Sequence, residues 1–308
     1  MRTPTAARLL PLASALVCGT LGGCSSLNHY AVDRLGDALA GSGSTYASDP
    51  DPELIRAAAP FSLKLIESLL AESPQHTGLL TAASSGFTQY AYAFVQQDAD
   101  ELEGHDVDAA FALRQRARGL YLRGRDYGLR ALDTRHASFS AELRSSTPQP
   151  AVASLESSDV TVLYWTTVAW AASISLDKDS AASLAELPRV DLLVNRLRQL
   201  DPDFDRGSLD TFLISYEMGR PGARDPTGAA RGYFARSVEL SGGLRAGPYV
   251  ALAETVCVRQ QHRTEFVSTL QQALALDPDA QPQWRLENHI MQQRARWLLT
   301  QSDQLFLE

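Results

Sequence analysis

Long hydrophobic runs, paired cysteines and catalytic signatures are all scarce in this chain. Its 308 residues include three cysteines and six histidines. No two cysteines stand at a CxxC spacing and no HExxH is present, which removes the common zinc sites. GxSxG is missing, and with it the hydrolase elbow. GSGS at 41–44 lacks the Lys-Ser/Thr that a phosphate loop needs. Basic residues are outnumbered, 28 Lys+Arg against 36 Asp+Glu, for a net charge of −8. Such a chain repels phosphate, so nucleic acid is not an expected partner. The sequence therefore reads as non-enzymatic, with no catalytic residue, no metal and no cofactor.

What is present begins at the N-terminus. Arg2 and Arg8 form a basic start, Leu9 to Leu21 a short apolar run, and Leu21-Gly22-Gly23-Cys24 follows. This is the order of a secretory signal, too short to span a membrane comfortably. LGGC also matches the bacterial lipoprotein box. It predicts a signal peptide over 1–23, lipidation at Cys24 and membrane attachment through that lipid. By resemblance to lipoproteins of Gram-negative bacteria, Ser25 favours the outer membrane, with the body facing the periplasm. Residues 24–50 end in AGSGSTYASDP and read as the lipidated cysteine plus a flexible tether. Residues 51–308 read as a single α-helical domain. Cys18 leaves with the signal, so Cys257 has no partner within one chain; its apolar neighbours make it a buried small hydrophobe.

From Pro52 onward apolar residues recur at spacings of three and four. Leu80, Ala83, Phe87, Tyr90 and Phe94 form one such stripe, and Leu209, Phe212, Leu213 and Tyr216 another. Tyr249, Leu252, Ala253 and Val256 repeat it, as do Leu286, Ile290 and Trp297. Alternating strand patterns are nearly absent, so the class is all-α, built of helix hairpins. Pro74, Pro202 and Pro278 each close a predicted helix. Five and eight residues before them stand Leu69 and Ile66, Leu197 and Val194, and Ala273 and Leu270. Tetratricopeptide repeats end their second helix with this pattern. The irregular separations predict degenerate tetratricopeptide-like hairpins in a compact array, with a central cavity or pore as a further expectation; an unrelated helical bundle is the alternative.

VTVLYWTTVAWAASISL, residues 160–176, carries no charge. It is too short and too rich in hydroxyls for a membrane span. A helix apolar all round is a core helix. The sharper reading is that Tyr164, Trp165 and Trp170 line a ligand cavity or pore, since each ring combines an apolar body with one polar handle. DADELEGHDVD (98–108) reads as a solvated acidic loop, without the order of an EF-hand. RQRARGLYLRGRDYGLRALDTR (114–135), with its glycines, reads as two short helices meeting at a turn and carrying structural arginines. In the C-terminal helix Asn288 is expected to make capping or inter-helix hydrogen bonds.

These stretches together resemble a family. The lipobox LGGC, FTQYAYAFVQQDADEL (87–102), RGLYLRGRDYGLRAL (118–132), LYWTTVAWAASISL (163–176), LRQLDPDFDRGSLDTFL (197–213), AARGYFARSVELSGG (229–243) and LENHIMQQRARWLLTQSDQLF (286–306) are similar to the T-component (TatT) lipoproteins of TRAP transporters. The resemblance implies a periplasm-facing homotrimer with a pore or cavity in each protomer. It implies association with the solute-binding P component of a secondary importer, and a hydrophobic or amphipathic ligand. No enzymatic residue transfers. The alternative is a general helical-repeat scaffold lipoprotein in envelope assembly, without a ligand.

Overall fold

The computed structural model describes residues 34, 36–38, 41 and 43–307. The signal peptide, Cys24 and Ser25 lie outside the described residues. The fold is all-α; no strand occurs among the described residues. We number the principal helices α1 (Gly43–Ala47), α2 (Pro52–Glu72), α3 (Thr77–Tyr90), α4 (Val107–Arg135), α5 (Val160–Ser175), α6 (Leu187–Leu200), α7 (Phe204–Gly219), α8 (Pro226–Ser241), α9 (Gly247–Ala251), α10 (Arg263–Ala275) and α11 (Arg285–Thr300). Two π-helical turns interrupt the regular geometry. Ala91–Gln96 continues α3, and Leu252–Cys257 continues α9.

Local chemistry sets the helix ends. Asp51 caps α2 by accepting from the Glu53 and Leu54 amides at 3.0 and 3.1 Å, with Pro52 in the first turn. Asp106 caps α4 through the Ala109 amide at 3.0 Å. Such caps satisfy donors the helix itself leaves orphaned. α2, α6 and α10 all stop just before the prolines at 74, 202 and 278. The apolar pairs preceding those prolines are buried, Ile66 with Leu69, Val194 with Leu197, and Leu270 with Ala273.

The helices pack as successive antiparallel neighbours: α3 against α2 and α4, α4 against α5, α5 against α6, α7 against α8, α10 against α11. They enclose two main cores. One gathers buried residues from α2 to α7 around Leu80, Phe139, Leu163 and Leu197. The other gathers Phe94 and the C-terminal elements around Val256, Phe266, Leu270 and Ala295. Tyr90 and Tyr233 touch both. Burying each large aliphatic or aromatic side chain contributes about 1.5–3 kcal/mol.

The course of the chain departs from the sequence reading in three places. α4 is one continuous helix from Val107 to Arg135, not two short helices meeting at a turn. Its glycines serve close approach: a Cβ on Gly124 would lie 2.7 Å from Thr88 Oγ1, and one on Gly128 2.0 Å from Thr166 Oγ1. The acidic segment is not simply a solvated loop. Residues 97–102 are helical, and three of its carboxylates meet arginines: Asp98 with Arg56 at 2.7 Å, Asp100 with Arg114 at 3.3 Å, and Glu103 with Arg114 at 2.6 Å. The folded body also starts before residue 51. α1 lies against α11, Tyr46 hydrogen bonds Ser62, and the Arg285 guanidinium donates to the Ser48 carbonyl at 3.0 Å.

Candidate functional site

Residues of both cores line a half-open cavity of about 1290 Å³, walled mainly by apolar side chains. α5 supplies one wall and explains why its sequence is apolar all round. Thr161, Tyr164, Trp165, Val168, Ala172 and Ser175 recur at helical spacing and face the cavity. Leu163, Thr167 and Trp170 point the other way into the core. The helix hydroxyls belong to this packing: Thr166 and Thr167 donate to the Val162 and Leu163 carbonyls at 2.6 Å, one turn back.

Two of the three aromatic residues singled out in the sequence therefore reach the cavity. Tyr164 packs edge-on against Trp165, ring centroids 5.0 Å apart, and tilts against Phe204 at 4.7 Å. Its hydroxyl donates to the Ser208 carbonyl at 3.3 Å, and burial pushes its pKa up. Trp170 is a correction. It is 1 % exposed, does not line the cavity, and lies under the Arg125 guanidinium, 5.4 Å from the ring centroid. It stands on the face of α5 opposite Val168, where it fills the gap toward α4.

The polar features of the wall were not singled out in the sequence. One is a left-handed turn at the start of α7. Asp205, Arg206 and Gly207 have φ of 45°, 51° and 99°. The left-handed region disfavours non-glycine residues by roughly 1–2 kcal/mol each. Neighbours hold the turn in place. Arg245 Nη1 donates to the Asp205 carbonyl at 2.7 Å, and Ser237 and Thr211 hydroxyls both donate to the Gly207 carbonyl at 3.0 Å. A residue kept in a sparsely populated conformation by such a set of bonds is a recurrent feature of functional sites.

Arg245 is the centre of this corner. Only 7 % of its side chain is exposed. Its guanidinium reaches Glu287 through Nε at 3.2 Å and Nη2 at 2.6 Å, and Asp205 Oδ2 through Nη1 at 3.2 Å. It also lies 5.2 Å from the centroid of Trp284, which lines the cavity. Burial opposes its charge, but Glu287 and Asp205 outweigh burial and hold its pKa above the ordinary arginine value. Beneath this corner Asn288 is fully buried. Its Oδ1 accepts from the Ala246 amide at 2.8 Å and its Nδ2 donates to the Leu244 carbonyl at 3.0 Å, the inter-helix role expected of it.

A second buried arginine lies behind another part of the wall. Arg294 on α11 is 5 % exposed and binds Asp100 at 2.9 Å and Glu254. Here too burial opposes the charge, and Glu254 and Asp100 overcome it. Glu254 and Tyr92 line the cavity. Cys257, in the same π turn as Glu254, is buried, and burial pushes its thiol up to about 12, which leaves it unreactive. No group of His, Cys, Asp and Glu that could hold a metal occurs among the described residues, and none of their helices is long and apolar enough to cross a membrane.

The sequence clues to two of the missed residues were single charges inside otherwise small or apolar phrases, Arg245 in LSGGLRAGPYV and Glu254 in ALAETVC; Arg294 stands beside Arg296 in MQQRARWLL and carried no such signal. A lone charge on a buried face needs a partner, but the partners lie far away in sequence.

The chain is 28 % identical over 270 residues to an uncharacterized protein of Treponema pallidum (strain Nichols), an alignment covering 85 % of this chain and 83 % of the relative. The model of the TRAP transporter T-component family matches residues 48–306, which include the buried residues of both cores and all of the cavity lining except Gly43, Tyr46 and Ala47. The chain belongs to the TRAP transporter T-component family.

Proposed function

We propose that this protein is the lipid-anchored, periplasm-facing T component of a TRAP-type uptake system, and that its cavity receives a hydrophobic or amphipathic ligand. Family membership supports the place in a transport system. The observation that carries the ligand is the cavity itself, about 1290 Å³, walled by Tyr164, Trp165, Val168 and other apolar side chains and holding a few fixed polar groups. That combination of greasy wall and sparse polar anchors is what small-molecule sites use. A scaffold acting only through its outer surface has no need of a deep cavity lined by aromatics.

In this reading Cys24 carries the lipid, Ser25 directs the protein to the outer membrane, and residues beyond the anchor let the body meet its partner. The partner is the solute-binding P component, and the T component works as a homotrimer. The test is capture from native periplasm by the tagged protein, with mass spectrometry of bound proteins and of organic extracts of the complex. Recovery of a TRAP solute-binding protein with a bound apolar molecule is the expected result. Recovery of envelope assembly factors without either would favour the scaffold alternative and overturn the transport role.

A further inference from the structure

The two π-helical turns, Ala91–Gln96 and Leu252–Cys257, sit on different helices, yet both open onto the same cavity. A π turn adds one residue to a helical turn, weakens the hydrogen-bond ladder and re-aims the side chains beyond it, and such turns concentrate at functional sites. The first turn presents Tyr92 and Gln96 to the cavity, and the second presents Glu254 and Thr255. One arginine ties the two together. Arg294 binds Glu254 inside the second turn and Asp100 just beyond the first.

Tyr92 shows what this wall faces. It keeps 40 % of its surface exposed. Yet burial, followed by the negative charge of Glu254, raises its phenol well above the ordinary tyrosine value. A residue both exposed and deep has its free surface in the cavity. Its hydroxyl bonds no other described residue. Gln96 also lines the cavity, with its Oε1 accepting from the Tyr121 hydroxyl at 2.6 Å. Glu254 gives one oxygen to Arg294, and its second oxygen accepts from no described side chain.

The charges decide which head group fits. At this wall the charge presented to the cavity is the Glu254 carboxylate; Arg294 does not line the cavity and is held by two carboxylates. The lining cations belong to other elements. Arg245 has Glu287 and Asp205, Arg135 has Asp159 at 3.1 Å, and Arg220 has Glu217 at 2.8 Å. Lys178 is exposed to solvent after α5. At this wall an anionic head group would lie against Glu254 unpaired, which is unfavourable in a partly desolvated site; Lys178, exposed and also lining the cavity, lies outside this wall. An ammonium would complete Glu254 with a charge-assisted hydrogen bond and could lie near the Tyr92 ring, while its apolar chain follows the α5 wall.

We infer that Tyr92 and Glu254 form a recognition subsite for the ammonium head of an amphiphile, and that this subsite discriminates against the same chain ending in a carboxylate. This rests on the ligand-binding reading of the cavity given above. The test is a titration of the purified protein with decylamine, decanol and decanoate, below micelle-forming concentrations at neutral pH. Calorimetry and the fluorescence of Trp165 and Trp284 report binding. Decylamine is expected to bind at least about tenfold more tightly than decanoate, with decanol between them. Glu254→Gln should abolish most of that preference while leaving decanol binding in place. Tyr92→Phe leaves the Arg294 bonds intact, so it keeps the test valid if Glu254→Gln impairs folding; it should weaken decylamine by about threefold. Equal or tighter binding of decanoate would overturn the subsite. Failure of all three probes to bind would instead overturn the ligand-binding reading on which it stands.

Discussion

Gly128 on α4 lies so close to Thr166 on α5 that a Cβ at position 128 would sit 2.0 Å from the Thr166 hydroxyl oxygen. Ser84 Oγ, on α3, is 2.9 Å from the same point. Three helices therefore meet at one glycine, and the α5 wall of the cavity is positioned by that contact. Gly128→Ala is expected to destabilise the protein by about 2–3 kcal/mol, because overpacking of this kind forces backbone shifts. Thr166→Ala removes the nearest atom. In a double-mutant cycle it should recover part of the loss, and additive effects of the two changes in urea unfolding would refute the contact.

The left-handed turn before Ser208 makes a similar demand. Gly207 has φ of 99°, and a Cβ there would stand 2.9 Å from Ser237 Cα. Gly207→Ala adds both a conformational and a steric cost, so a loss of about 2–3 kcal/mol is expected. Asp205→Gly should act in the opposite sense on the backbone, easing a φ of 45°, although it removes the carboxylate that meets Arg245. Measured together by thermal unfolding, Gly207→Ala must be the more damaging of the two. The reverse order would mean that the Asp205 side chain, not the turn conformation, holds this corner.

Much of this architecture could be read from local pattern. Helix stops before Pro74, Pro202 and Pro278, the buried stripes ahead of them, and the core role of 160–175 follow from spacing alone, because each depends on residues within a few turns. The two corrections of geometry show where that logic fails. Gly119, Gly124 and Gly128 look like helix breakers, but two of them are contact points whose partners, Thr88 and Thr166, lie on other helices. Trp170 and Trp165 are equivalent by composition; the rotation of α5 relative to its neighbours separates them, and that rotation is a tertiary property. The polar corners were least legible. Arg245 meets Glu287 and Arg294 meets Asp100 across long stretches of chain, and π turns leave no mark in the periodicity.

Arg294 is expected to be the most sensitive charged position in the body. It is almost completely buried between Asp100 and Glu254. Its removal leaves carboxylates in a desolvated setting, a change that typically costs about 3–5 kcal/mol. Glu254 retains some exposure and Asp100 keeps Arg114 at 3.3 Å, so Arg294→Met should fall toward the lower end, about 3 kcal/mol. Arg294→Lys keeps the charge and should lose less. Equilibrium unfolding of the two variants ranks them; equal losses would show that the planar guanidinium over Trp297, its carbon 4.3 Å from the ring centroid, matters more than the charge.

Asp210 provides the pH test. Its side chain is 4 % exposed, and Arg236 Nε lies 3.2 Å from Oδ2. Burial dominates over Arg236 and pushes the carboxyl up from 3.8 to about 6. A raised folded-state value means that the folded protein holds this proton more tightly than the unfolded chain. The resulting stability is fully present below the unfolded value near 3.8 and is lost as pH rises through about 6. Asp210→Asn removes the titration and keeps the shape. The stability of the native protein relative to Asp210→Asn should therefore fall between pH 4 and pH 7, by roughly 1–3 kcal/mol for a shift of this size. Chemical denaturation of both proteins across that range reads the difference directly. A gap that is constant with pH, or that widens in favour of Asp210 as pH rises, would show that Arg236 outweighs burial and that the carboxyl is ionised in the folded state throughout.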